Sequence, residues 1–580
     1  MKPVQNIFLA LLLLSGVAAW ADSVVNSVHN LSATGPGAIK AVSETDACIF
    51  CHTVHHSNGE LPLWNHTMSS VSNYVVYSSA RLDSLNLTIP QPNGSSRLCL
   101  SCHDGTVALG DVGSGAIQMQ NGVTTMPAGN SGYVGTDLSA DHPISFVYDS
   151  SLAARDPQIK DPTTLTGPVR LDSMGRLQCT ACHNPHDDQF GNFLVMDNTG
   201  SALCLACHQP GQWAGSSHST SSALVPSAIA NARPISSMTA QKIPGAIAGV
   251  KSLSTSTMAA TACGSCHVSH QAQSRSHLLI AKQPEDNCLV CHNGSTSAKN
   301  VAGDFEKSSI HPITVNSESH SPVEDPINPP VRHVVCADCH NSHAVKATTA
   351  IAPNASGALA NLTGVSVAGT IVTPLTKQYE LCFRCHADSL DRGPATVPRQ
   401  VIQTNLRLAF STANQSYHPV LAVGKNLNNV PSLILPWMVN SLMYCTDCHN
   451  NDDGPNAGGG GANGPHGSIY RPILERNLNL GDFQGESAGT YALCYKCHSR
   501  SVVLSNISFP LHESHVVNDK AACTTCHDSH GVANAPHLIN FNTLYVTNSP
   551  AGIVSYRSLG NLHGSCTLTC HGKEHLNATY

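Results

Sequence analysis

The chain has 580 residues and a formal charge of −7; only 5% of it is aromatic and 12% charged, yet it carries 44 Gly, 34 Pro, 24 Cys and 33 His. So few large apolar side chains exclude an ordinary globular core for this length, and the missing apolar surface must come from a bound group. The acidic balance, with no basic cluster, excludes nucleic acid as a partner.

The N-terminus reads as a secretory signal over 1–21. Lys2 supplies the charge, 7–17 the apolar run, and Ala19-Trp20-Ala21 the cleavage site, leaving Asp22 as the new N-terminus. That run is too short to cross a bilayer. The first cysteine is Cys48, so no lipid anchor is indicated. Residues 432–443 are apolar but carry Pro436 and Asn440, and are expected to pack on a cofactor rather than span a membrane.

From Cys48 onward one signature recurs. Eleven Cys-x-x-Cys-His motifs run through Cys48/Cys51/His52, Cys99/Cys102/His103, Cys179/Cys182/His183, Cys204/Cys207/His208, Cys263/Cys266/His267, Cys288/Cys291/His292, Cys336/Cys339/His340, Cys382/Cys385/His386, Cys445/Cys448/His449, Cys494/Cys497/His498 and Cys523/Cys526/His527. A twelfth, Cys566-Thr-Leu-Thr-Cys570-His571, has one extra residue, and the twelve consume all 24 cysteines. Positions i, i+3 and i+4 share one helical face, so both sulfurs can join porphyrin vinyl groups while the imidazole reaches the iron. Zinc sites need no histidine after each cysteine pair, a redox dithiol needs one such pair, and a disulfide framework has no use for the histidine. The motifs therefore predict haem c, twelve copies, or eleven if the irregular site fails.

The motifs alternate. Odd-numbered ones mostly continue to a second histidine at +3, giving His55, His186, His270, His343 and His530. At the ninth, a Gly-rich loop leads instead to Gly464-Pro465-His466, and His466 is expected to substitute. A further histidine precedes each unit: His29, His142, His218, His311, His418 and His515. The unit is thus His, CxxCHxxH, CxxCH, repeated six times. The boundaries are 22–141 for haems 1 and 2, 142–217 for 3 and 4, 218–310 for 5 and 6, 311–417 for 7 and 8, 418–511 for 9 and 10, and 512–580 for 11 and 12. Connecting segments rich in Ser, Thr, Ala, Gly and Pro show little periodicity. The expected fold is a multihaem cytochrome c: mostly irregular coil, short α-helices at the motifs, little β, and an elongated array of two-haem modules with closely packed haems.

Twelve proximal histidines leave 21 of 33, and a second ligand for each iron takes twelve more. One register gives the leading histidine to its own unit's odd haem and the +3 histidine to the even haem. The candidate distal set is then His29, His55, His142, His186, His218, His270, His311, His343, His418, His466, His515 and His530. In a shifted register each +3 histidine serves another neighbour, His575 closes the last haem, and His29 is free to ligate a haem of another subunit. His333 competes with His311, and His512 with His515. His56, His66, His277, His320, His537 and His563 read as solvated or propionate-bonded.

The His-Pro, CxxCHxxH, LCxxCH unit resembles the doubled-CxxCH multihaem cytochromes of metal-respiring bacteria, of the dodecahaem, extracellular electron-transfer type. The opening Cys48-Ile-Phe-Cys-His-Thr-Val-His55, followed by Leu63-Trp64-Asn65 and Tyr74/Tyr77, is similar to the start of several secreted members. The resemblance implies low-potential bis-histidine haems packed as a wire. It also implies an exported protein in the periplasm, at the outer-membrane surface or outside the cell. Its partners would be other redox proteins, a porin–cytochrome conduit, or copies of itself in a filament.

The function expected is electron transfer rather than catalysis, because filled axial sites pass electrons but bind no substrate. The alternative is a multihaem reductase of nitrite, hydroxylamine or a sulfur oxyanion. Such an enzyme needs one open iron, often marked by CxxCK, which does not occur here.

Overall fold

The computed structural model describes residues 24–55, 57, 62–227, 253–275, 277–313, 324–329, 333–390, 392–426 and 430–580. The expected signal segment, His56 and His320 lie outside them. The described residues form two compact units, one of 24–77 with Thr88–His208, the other of Ser78–Leu87 with Gln209 onward. The first carries motifs one to four and the second motifs five to twelve.

Regular structure gathers at the motifs. The helix Gly94–His103 ends on the second motif's histidine, burying Leu98 and Leu100. Gln378–His386 ends on the eighth, burying Tyr379 and Phe383. Its first turn is held by Glu380, which accepts from the Lys377 amide at 2.8 Å and so satisfies a donor the helix leaves open. Other motifs occupy a single turn, as in the α-turn Cys336–Cys339 and the 3₁₀ turns Cys179–Ala181 and Cys445–Asp447.

The cores are small and lean on the haem-attaching cysteines. In the first unit Ala41, Phe50, Leu109 and Met119 pack with Cys51 and Cys102. In the second, Val365, Tyr379, Phe383, Phe410 and Met443 pack with Cys445 and Cys448. Of the apolar stretch over 432–443, Met443 and Trp437 join that cluster, while Leu435 and Met438 are exposed. Among the described residues, no helix is long and apolar enough to cross a membrane.

The expectation of little β needs correction. The described residues contain four two-stranded sheets and one four-stranded sheet. Two of the small ones have a positional role. Ser309–Ile310 pairs with Gly467–Ser468, and Ser416–Tyr417 with Gly531–Val532. Each joins the residues before a leading histidine (His311, His418) to the residues after a +3-type histidine (His466, His530). The four-stranded sheet, Val546–Thr547, Ser555–Gly560, His563–Cys570 and Lys573–Thr579, contains the irregular twelfth motif.

Candidate haem iron sites

Each regular motif closes one helical turn. The motif histidine's amide donates to the carbonyl of the first cysteine, as in His52 to Cys48 (2.8 Å), His183 to Cys179 (3.0 Å), His340 to Cys336 (2.9 Å) and His527 to Cys523 (3.0 Å). That is the i, i+3, i+4 arrangement the spacing requires. The His571 amide instead meets the Tyr545 carbonyl, at 3.4 Å.

The attachment cysteines are not equally enclosed by protein. Most of the cysteines are half-buried, but Cys48 and Cys385 are exposed. At Cys385 the reason lies in the helix Gln378–His386. It turns Phe383 and Arg384 into the protein and leaves Cys385 and His386 on its open side. Cys385 still neighbours the seventh motif. Burial, then Asp338, raises the Cys339 thiol to about 12, and Cys385 adds to that rise.

The motif histidines face partner imidazoles at a narrow range of separations. His29 and His103 have ring centres 6.1 Å apart, His52 and His186 6.1 Å, and His142 and His208 6.0 Å. In the second unit the pairs are His218 with His292 (6.2 Å), His267 with His343 (6.1 Å) and His311 with His386 (6.5 Å). They continue with His340 and His466 (6.1 Å), His449 and His530 (6.3 Å), and His512 and His527 (6.4 Å). Two imidazoles on opposite faces of one iron, each nitrogen about 2 Å from it, place their ring centres about 6 Å apart. The residues therefore fit haem iron bracketed by two histidines.

The pairing is not the register expected for a self-contained unit. Leading histidines (His29, His142, His218, His311) meet even-motif histidines, while His186, His343, His466 and His530 reach back to the odd motif of the preceding unit. His29 is thus engaged at His103 rather than free, and His515 faces His575 (6.4 Å) rather than His527. His55 is exposed, and no imidazole among the described residues faces it. His270 is half-buried in the second unit. His498 has His418 beside it; burial first, then His418, brings its pKa down to about 4.

Sequence reasoning missed what orients these rings. A ligating imidazole uses one nitrogen on the metal and ties the other to a carbonyl. His52 Nδ1 contacts the Pro62 carbonyl at 2.9 Å, His183 that of Asn192 at 2.9 Å, His267 that of His277 at 2.8 Å, His449 that of Pro472 at 3.0 Å, and His527 that of His537 at 2.8 Å. In all five, the residue after the carbonyl is apolar and left-handed: Leu63 (φ 60°), Phe193 (57°), Leu278 (51°), Ile473 (52°) and Leu538 (60°). Bulky residues rarely adopt this conformation, and its recurrence marks a functional constraint. The repeated Leu63-Trp64, Phe193-Leu194, Leu278-Leu279, Ile473-Leu474 and Leu538-Ile539 pairs were the available sequence signal.

A second lock joins successive units. The leading histidine's Nδ1 contacts the carbonyl just before the later +3-type histidine. His29 meets Pro185 (3.1 Å), His218 Ser342 (2.9 Å), His311 Pro465 (2.6 Å) and His418 Ser529 (2.6 Å). His466, which the sequence offered only as a loop substitute, sits in the same frame as His186, His343 and His530.

Burial keeps these rings neutral, as ligation requires. Burial, then His267, lowers His343 to about 4; burial, then His340, lowers His466 to about 3; burial, then His449, lowers His530 to about 4.

The remaining histidines separate by their bonding. His66 is fully buried, with both ring nitrogens on the carbonyls of Thr67 and Ala108. His333 directs Nε2 at Glu324 (3.2 Å) and Asp338 (3.8 Å), away from an axial role. His563 contacts the Tyr580 carbonyl at 2.6 Å.

The cysteines give the order of the sites. Cys179 beside Cys99, then burial, raises the Cys99 thiol; Cys336 does so at Cys288, Cys445 at Cys382, and Cys494 at Cys523. These contacts link motifs 2–3, 6–7, 8–9 and 10–11. Second cysteines link the others: after burial, Cys51 raises Cys102, Cys207 raises Cys182, and Cys291 raises Cys266. In the attached protein these sulfurs are thioethers, so what carries over is their proximity. Within each unit, sequence order is spatial order.

Haem-attaching turns with paired imidazoles define a multihaem c-type cytochrome. Residues 250–417 match the family model for outer membrane cytochrome MtrC/MtrF-like domains II/IV, and residues 173–212 match the doubled CXXCH motif. No curated protein matches the chain.

Proposed function

We propose that the chain is an exported twelve-haem conduit whose irons are each closed by two histidines, and that it delivers electrons to acceptors at or beyond the outer membrane. The observation that carries this is the set of nine motif histidines facing a second imidazole at 6.0–6.5 Å. When bound, the haems supply a one-electron iron couple. The chain's own residues fix spacing and potential. Carbonyls at Pro62, Asn192, His277, Pro472 and His537 hold the proximal rings in one tautomer, and the paired sheets hold the distal ones. The order of neighbouring cysteines supports transfer in sequence order within each unit, 1 to 4 and 5 to 12.

An outer-membrane or extracellular setting rests on the MtrC/MtrF-like match and on the signal-like N-terminus. Redox proteins on either side of the membrane are the partners this setting implies. With two propionates per haem the loaded chain approaches a charge of about −30, which favours basic partner surfaces. The test is a pyridine haemochrome count with carbon monoxide titration of the reduced protein. Twelve haems and no adduct support the conduit; one haem per chain that binds carbon monoxide or nitrite supports the reductase reading instead.

A further inference from the structure

Eleven motifs fold as a helical turn, and the twelfth does not. Cys566 and Cys570 lie in the strand His563–Cys570, paired on one side with Ser555–Gly560 and on the other with Lys573–Thr579. Side chains alternate across a strand, so Cys566, Leu568 and Cys570 share one face and His571 falls outside it. The extra residue in Cys566-Thr-Leu-Thr-Cys570 has removed the helical register that would return the motif histidine to the cysteines' side.

His571 is also already engaged. The motif histidines described above place Nδ1 on a carbonyl, whereas His571 places Nε2 2.7 Å from Asp482 Oδ2. Asp482 is buried and also accepts the Ala522 amide at 2.8 Å and the Thr525 hydroxyl. His571 is left-handed as well (φ 50°), which turns it out of the strand.

The residue that does occupy the cysteines' face is His575. Leu568 pairs directly with His575 across the two strands, and directly paired residues of antiparallel strands project to the same side. Leu568 stands between Cys566 and Cys570 along the strand, so His575 projects to the face that carries both thiols, next to a register shift between Cys566 and Leu568. His575 faces His515 at 6.4 Å between ring centres, inside the range of the nine other pairs. His515 has Nδ1 on the Leu511 carbonyl at 2.8 Å, as the other leading histidines have theirs on carbonyls. It also leads the sixth unit, and in the earlier units the leading histidine meets the even motif. His512, one turn earlier, serves His527.

We infer that the twelfth haem takes His515 and His575 as its axial ligands, and that His571 is a structural residue bound to Asp482. The inference rests on the bis-histidine reading of the other sites and adds to it that one motif histidine has been replaced by another.

The test compares His571→Ala and His575→Ala in the full-length, haem-loaded protein, using the high-spin ferric signal in electron paramagnetic resonance and carbon monoxide binding to the reduced form. Expected is one high-spin, carbon monoxide-binding haem per chain in His575→Ala and none in His571→Ala. The reverse pattern overturns the inference, as does a low-spin spectrum in both. Should His575→Ala accumulate poorly, His575→Met is the second variant. It should retain twelve haems and replace one bis-histidine spectrum by a histidine–methionine one; an unchanged spectrum again overturns the inference. A wild-type count of eleven haems, with Cys566 and Cys570 carrying free thiols, would overturn this inference and shorten the conduit to eleven haems, leaving its bis-histidine closure at the other sites standing. Several high-spin irons in the wild-type protein would instead overturn the conduit reading.

Discussion

The imidazole of His527 is fixed by the carbonyl of His537, ten residues later, at 2.8 Å, and the chain turns there through two left-handed residues, His537 (φ 57°) and Leu538 (φ 60°). The turn brings Ile539 into a bridge with His527, as Leu194 bridges His183 and Leu279 bridges His267. An orienting loop thus follows most odd motifs. Leu538→Asn, a residue tolerant of left-handed backbone, should leave the low-spin spectrum unchanged. Leu538→Val adds β-branching where it is least tolerated and should destabilise by about 1–2 kcal/mol. Thermal unfolding monitored at the Soret band separates the two; equal melting temperatures would remove the backbone argument.

The small sheets make a second prediction. A Cβ on Gly531 would stand 2.0 Å from the Ala409 carbonyl oxygen, and one on Gly467 1.8 Å from that of Asp304. Both glycines directly follow a histidine proposed as a distal ligand, and neither clash can be relieved by a side-chain rotation. Gly531→Ala should therefore displace His530 and open one iron, while Gly485→Ala, where a Cβ meets nothing within 4 Å, should not. Carbon monoxide binding per chain reads the difference.

Glu475 is a buried carboxylate with charged partners, Lys496 Nζ at 3.0 Å and Arg476 Nε at 3.3 Å. Lys496 lies inside the tenth motif and also donates to the Asp447 carbonyl, inside the ninth. Glu475→Ala leaves the largely buried Lys496 charge unpaired and should cost about 3–5 kcal/mol. Denaturant unfolding measures this; a loss below about 1 kcal/mol would assign the pair no structural weight.

The buried histidines proposed as distal ligands set an acid limit. Burial lowers His343 and His530 to about 4 and His466 to about 3, below the ordinary value of 6.5. Between those limits the unfolded chain binds more protons than the folded one, so stability rises with pH there. The contribution is complete above 6.5, declines as pH falls, and is gone once pH has passed through about 4 and then 3. A pH titration of the low-spin spectrum should hold near neutrality and collapse over that acid range. Loss on raising the pH from about 6.5 to about 8 would contradict the sign.

The local fold of the motifs was legible in the sequence, because a covalent haem motif imposes its own spacing. All eleven regular motifs fold as the turn their spacing requires. The pairing register was not legible. His186 and His55 hold the same place in their motifs, yet His186 meets His52 and no imidazole among the described residues faces His55, since the partner is decided by the preceding unit's position. Nor does spacing tell how far each sulfur is covered: Cys385 is exposed where Cys382, one turn earlier on the same helix, is half-buried. His466 was found as a substitute because glycines can carry a loop back, but only the Ser309–Ile310 and Gly467–Ser468 pairing shows how it is held. The twelfth motif misleads for a local reason: one added residue exchanges a period of about 3.6 for a period of about 2, and the histidine that looks proximal is turned away.

The account turns on +3 histidines reaching back one unit, and His186 offers the most direct test. Trp64 stands edge-on to His52 with ring centres 6.1 Å apart, while Trp213 stands beside His343, also at 6.1 Å. Fluorine NMR of protein labelled with 5-fluorotryptophan, recorded on His186→Ala, reports which iron becomes high-spin. The account predicts one open iron per chain, with the Trp64 resonance strongly shifted and broadened and that of Trp213 unchanged. One open iron with an unaffected Trp64 line, or no open iron at all, would contradict it.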